Sequence, residues 1–267
     1  MGGLIRANTL HRNVLAAKND GINADHRFGD LARMPWWRQP DDDVLPTAGA
    51  MLTELHRLDA RGIVGDRAVE HKIIVTCRFV AILMASALKA KGIPARVRAG
   101  HAGYFGEHPQ LGEVVAYDHW IVEYWHEGDG RWVQVDVDGS LTHVGEFDAY
   151  DMPDGTFHFA ARAWLDSRHH GADPDYFFNA SGARGLRVVA WSLFYDFHSL
   201  MNDENIYLHI PAPVGPEEFD KLTKEQLAEL DALAELLLDP DANFSRLQRL
   251  YETRREWRLL AGALLSV

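Results

Sequence analysis

A chain of 267 residues with 47% hydrophobic side chains has enough apolar surface to bury a substantial core. Its formal charge of −12, from 27 Lys and Arg against 39 Asp and Glu, argues against nucleic acid or an anionic membrane as a partner. The only cysteine leaves no intrachain disulfide to form, and no apolar run approaches the roughly 20 residues of a membrane span, so a soluble cytoplasmic protein is expected.

Residues 1 to 45 are polar and punctuated, with Met34-Pro35-Trp36-Trp37 and Pro40-Asp41-Asp42-Asp43 marking loops; the two tryptophans are read as packing against the core. The first 20 residues lack an apolar signal core. From Thr47 to about Arg61, Ala48, Met51, Leu52, Leu55 and Leu58 recur at helical spacing, and Gly62 and Gly65 end the pattern. The stretch from Thr76 to Arg96 then sets Val80, Met84, Ala87 and Leu88 on one helical face, with Thr76 as N-cap and Gly92-Ile93-Pro94 as the stop. Cys77, the lone cysteine, becomes the first residue of that helix. There the unpaired N–H groups and the positive end of the dipole favour thiolate over thiol, so a partly exposed, reactive cysteine is expected.

Past a strand entered at Ile93 to Arg98, Gly103 to Gly112 reads as a long loop carrying the aromatic pair Tyr104-Phe105, a lip suited to substrate contact. A hairpin follows: Tyr117 to Trp125 forms one strand, Gly128-Asp129-Gly130 turns it, and Arg131 to Asp136 forms the second. Direct partners across a turn centred on Gly128-Asp129 are His119 with Asp138 and Ile121 with Asp136, which leaves both aspartates on the face of His119. Residues 139 to 185 show little periodicity beyond a short helix near Ala160 to Arg168. Gly185 to Met201 is a helix with Leu186, Val189, Ala190, Leu193, Phe194 and Phe197 inward. Beyond Pro211, Pro213 and Pro216 come two last helices. The first opens on the capping box Thr223-Lys224-Glu225-Gln226, and the second carries Leu247, Leu250, Tyr251, Trp257 and Leu260.

Cysteine at a helix start, histidine at a strand start and aspartate at a strand end follow one another in the order of a nucleophile, its base and its orienter. The 14 histidines offer no comparable metal pattern: they are scattered, only His169-His170 are adjacent, and Asp136-Val137-Asp138-Gly139 loses any likeness to a calcium loop at Ser140, Leu141 and Thr142. No metal and no organic cofactor is expected.

Four ordered blocks resemble the transglutaminase-like superfamily: Cys77; Gly92-Ile93-Pro94-Ala95-Arg96; Asp118-His119-Trp120-Ile121-Val122-Glu123; and Trp132-Val133-Gln134-Val135-Asp136. Arg98 to Phe105, with Asp118-His119-Trp120, is similar to stand-alone bacterial members of that superfamily, and the likeness covers about residues 45 to 200. It departs at Phe79-Val80, where an acidic and an aromatic residue are common, and at Thr76, where an amide or glycine is common. The resemblance implies an α+β, papain-like core of helices on an antiparallel sheet. On this reading residues 1–205 form the catalytic domain, N-terminal helices included, and 206–267 a helical extension packed on it. It further implies Cys77 as nucleophile, His119 as base and Asp136, in preference to Asp138, as third member. The reaction expected is acyl transfer at an amide, ester or thioester carbonyl of a small or peptide-like substrate. Hydrolysis is favoured over transfer to an amine, because no block announces an amine pocket. The rival classes are a non-catalytic binding module of the same shape and a metal-dependent hydrolase.

Overall fold

A computed structural model describes residues 1–17, 30–108, 111–139, 147–204, 207 and 210–258. The chain packs as two units. One holds the described residues among 1–97, 121–139 and 147–152; the other holds those among 98–120 and 153–258.

In the first unit, α1 (Gly2–Asn8) leads into β1 (Thr9–His11) and α2 (Arg12–Ala17). Next come α3 (Ala48–Leu58), β2 (Ile73–Val75) and α4 (Cys77–Lys89). The side chain of Thr47 caps α3 by accepting from Ala50 N at 3.1 Å, and Met51 and Leu55 are its buried positions. Helix α4 is buried all round from Cys77 to Ala85, Arg78 included, wider than the single apolar face expected, while Ala87 of that face is only partly buried; α1 and α3 pack against it. It ends as its sequence predicts: Gly92 takes φ 76° and the Ile93 N–H bonds back to Leu88 O at 3.1 Å.

Strands β3 (Ala95–Ala102) and β4 (Ala116–His126) contribute residues to both units. With β5 (Arg131–Val135), β4 forms the predicted hairpin in the predicted register, Val122 opposite Val135 and Trp125 opposite Trp132. The family-like residues here serve as scaffold. Arg96 lies 3.9 Å over the Trp132 ring while its Nε donates to Glu123 at 2.6 Å. The ladder stops at Val135, and the Asp136 N–H bonds instead to Ala149 O at 2.8 Å. The expected pairing of Ile121 with Asp136 is therefore not made.

Trp36 and Trp37 depart from the core reading, being 91% and 57% exposed. They sit at the tip of a turn closed by Arg38 N to Pro35 O, and Arg38 is the residue that points inward, donating to Glu70 O and Lys72 O at 2.8 Å each.

The second unit adds β6 (Phe157–Phe159), α5 (Ala160–His169), β7 (Phe177–Phe178), α6 (Leu186–Leu200), α7 (Lys224–Leu238) and α8 (Pro240–Thr253). The strand order reads β5-β4-β3-β6, antiparallel at β4–β5 and β3–β6, with β7 parallel to β4. Gly100 is needed where β3 meets β6, since a Cβ there would come within 2.2 Å of the His158 carbonyl. Helix α5 packs on α6 and α7, and α7 on α8, around Trp164, Phe194, Phe197, Leu233, Leu237 and Leu247. The predicted capping box of α7 forms, Thr223 with Gln226, while Leu260 lies outside the described residues. The α+β architecture of helices on a largely antiparallel sheet is the one expected of a papain-like core. No described helix is long and apolar enough to cross a membrane.

A buried ion pair ties β3 to α6. Asp196, fully buried, accepts from Arg98 Nε at 2.9 Å and Nη2 at 2.8 Å, and from the Ala99 N–H at 2.9 Å. Asp196→Ala leaves a buried guanidinium without its carboxylate and is expected to destabilise the fold by about 3–5 kcal/mol, read from the urea midpoint. The pair Arg98→Met with Asp196→Leu should recover most of that. A surface-like loss below about 1 kcal/mol for Asp196→Ala would contradict the account.

Candidate active site

Strand β2 delivers the chain to Cys77, and it is held from two directions. On one edge β1 pairs with it in parallel, which sets His11 level with Val75, two residues before the cysteine. From elsewhere Asp41 accepts from Ile74 N and Asp42 from Thr76 N, both at 2.8 Å. Burial pushes the Asp42 carboxyl up to about 6, against the opposing pull of the Thr76 N–H and of Arg12 at 3.0 Å. Thr76 is the N-cap of α4, as predicted, but its side chain does not cap the helix. Cys77 is the first helical residue and is only 7% exposed, deeper than the partly exposed thiol expected, because α1 and α3 cover α4.

Two aspartates follow β5, and their surroundings differ. Asp136 is 1% exposed and its Oδ1 accepts from the Gly139 N–H at 2.7 Å. The approach is so close that a Cβ on Gly139 would lie 2.0 Å from Asp136 Oδ2. Asp138 is bound by the buried Arg6 of α1, whose Nη1 donates to Oδ1 at 2.6 Å, and its Oδ2 stands 3.7 Å from His11 Nε2. Cys77, His11 and Asp138 each bring one ligand-type atom to within 4.8 Å of the others. The sequence reading missed His11 and Arg6, since neither belongs to a periodic pattern. The one available signal was the Thr9-Leu10-His11 run, too short to read as a strand.

His119, 2% exposed, lies in the second unit, on the half of β4 that belongs to it. Tyr104 and Phe105 also lie there, and they gather around it. The Phe105 ring meets the imidazole edge-on at 4.9 Å between centroids, Tyr104 at 6.4 Å and Phe157 at 6.4 Å. Such packing fixes the plane of the ring. Pro109 and Gln110 of the expected lip lie outside the described residues. The neighbouring Asp118 accepts from the Ala180 N–H at 2.9 Å, and burial pushes its carboxyl up to about 7.

The structure thus sets Cys77 beside His11 and Asp138, braces Asp136 on Gly139, and encloses His119 in aromatic rings. Searches among curated proteins and among solved structures find no match to this chain. The family model of the transglutaminase-like superfamily does match, over residues 66–137. The matched segment contains Cys77, His119 and Asp136 and leaves out His11 and Asp138. Residues 66–137 are transglutaminase-like, which at superfamily level supports a cysteine-based enzyme of the acyl-transfer type.

Proposed function

We propose that the protein is a cysteine acyl-transfer enzyme acting on small or peptide-like amides, with hydrolysis as the favoured outcome. The observation that carries this reading is the position of Cys77 as the first residue of α4, inside the one segment that matches an acyl-transfer superfamily. The thiolate of Cys77 attacks the carbonyl carbon and the C–N bond breaks. His119, as imidazolium, gives its proton to the departing amine, leaving a thioester on Cys77. The neutral His119 then takes a proton from water, the hydroxide attacks the thioester carbonyl, and the thiolate leaves with the acid released. Asp136 holds the imidazole in one tautomer and stabilises its positive charge. Tyr104 and Phe105 lie against His119 and are suited to contact the acyl group. A compartment that keeps thiols reduced, such as the cytoplasm, fits a free nucleophilic cysteine.

The test is to trap the intermediate. A panel of amides, esters and thioesters, quenched in acid during turnover, should leave a mass adduct on the peptide carrying Cys77, and that mass names the acyl group. Added amines should appear in the product only if transfer competes with hydrolysis. Turnover that survives in Cys77→Ala, or that chelators abolish, would overturn the proposal.

A further inference from the structure

Three segments far apart in the chain converge on the thiol from within one unit: β1 with His11, the start of α4 with Cys77, and the turn after β5 with Asp138. Of these only Cys77 lies in the family-matched segment, so the superfamily assignment gives His11 and Asp138 no task. A histidine and a carboxylate beside a thiol invite two plain explanations, a base with its orienter, which the His11→Ala kinetics test, and an ion pair that steadies the fold. Arg6 already supplies that: buried and 2.6 Å from Asp138 Oδ1, it satisfies the carboxylate without help from His11. The other oxygen, Oδ2, is the one turned to His11, at 3.7 Å and not at the 2.7–2.9 Å of a charge-assisted bond.

We propose that His11 Nε2, Cys77 Sγ and Asp138 Oδ2 form a binding site for a borderline-soft divalent cation, zinc foremost, which holds the nucleophile inactive. The donor set is one nitrogen, one sulfur and one oxygen, which suits zinc and is foreign to the all-oxygen preference of magnesium and calcium. Ligands bonded to zinc at about 2.0–2.3 Å in a tetrahedron stand roughly 3.5 Å apart. The His11–Asp138 edge is already at 3.7 Å, and the other edges, all within 4.8 Å, need close by no more than about 1.3 Å to reach the spacing of a zinc tetrahedron. Arg6 on Oδ1 plays the part that outer partners play in metal sites, fixing the carboxylate so that Oδ2 faces the cation. The Asn13 N–H points at His11 Nδ1 at 3.2 Å, which leaves the ring proton on Nε2, so binding moves that proton to Nδ1 at the cost of the Asn13 contact; it also releases the thiol proton to solvent, and the sulfur lone pair that would attack a carbonyl becomes a metal bond. The fourth position is left to water. Metal binding here stands on the cluster alone; only its consequence, an off-switch, rests on the acyl-transfer reading.

Cobalt(II) reports the sulfur ligand without any substrate. Titrated into the full chain, it is expected to give a thiolate-to-cobalt charge-transfer band that saturates at one equivalent, is displaced by zinc, and is missing in Cys77→Ala. Zinc affinity, measured by competition with a chromophoric chelator, should fall at least about tenfold in His11→Ala and in Asp138→Asn. Zinc should also slow iodoacetamide labelling of Cys77 in the wild type and do so less in His11→Ala. Circular dichroism establishes that each variant is folded, and His11→Ala, on a half-buried side chain, carries the test if Asp138→Asn is not. No band with the wild type, or variants that bind zinc as tightly as the wild type, would overturn the site. Inactivity toward every acyl substrate would sink the enzymatic reading and leave the cobalt result standing.

Discussion

Asp136→Asn is expected to lower turnover by about 10³–10⁴-fold with little loss of folded protein, because with the amide oxygen kept on the Gly139 N–H the Oδ2 position becomes an NH2 that donates to the imidazole and favours the wrong tautomer. The side-chain carbonyl of Asn can still accept from the Gly139 N–H, now at 2.7 Å, which is why the fold should persist. Gly139→Ala approaches the same carboxylate from the backbone. Its Cβ would lie 2.0 Å from Oδ2, so the carboxyl must swing away, and turnover should fall in the same direction. Asp138→Asn should have the smaller effect on turnover, as that carboxylate is engaged by Arg6 and lies beyond the matched segment. Steady-state kcat/KM and a thermal melt for the three variants decide the matter. A crippling Asp138→Asn beside a mild Asp136→Asn would reverse the assignment.

The contrast between these aspartates marks how far the sequence could be read. Local signals held: the turn at Gly128-Asp129-Gly130 specified the hairpin register, since a two-fold alternation and a tight turn leave one pairing. Helix α4 begins at Cys77 as expected, though without the Thr76 side-chain cap, and the chain turns away at Gly92 because of a left-handed backbone that acts within a few residues. What failed was long-range. The parallel pairing of Thr9–His11 with Ile73–Val75 spans more than sixty residues, and strands of three residues are too short to carry a period. His11 therefore stayed invisible, and with it the imidazole that the structure sets beside the cysteine. Asp136 left the ladder for the Ala149 carbonyl, a partner that no pattern within the hairpin indicates. Trp36 and Trp37 were misread because composition says aromatic means core, whereas the turn gave the inward position to Arg38.

Cys77→Ala and His119→Ala are each expected to reduce kcat to the same residual level, and the double variant to fall no further. Nucleophile and base act as one unit: without the base the thiol loses its activation, and without the sulfur there is nothing for the base to serve. In a comparable triad the loss of either the nucleophile or the base lowers kcat by about 10⁶, close to the loss on removing all three members, while the aspartate alone costs less. Additive effects would instead multiply, so the cycle separates a shared mechanism from two independent structural injuries. His119 is well suited to the measurement because three aromatic rings hold it, Phe105 nearest at 4.9 Å, and alanine there leaves a cavity that free imidazole could fill. Partial rescue by added imidazole in His119→Ala, absent in Cys77→Ala, is the expected signature. If His119→Ala and Cys77→Ala prove additive while His11→Ala collapses to the residual level, the base is His11. The carboxylate that then matters is the one 3.7 Å from it, Asp138.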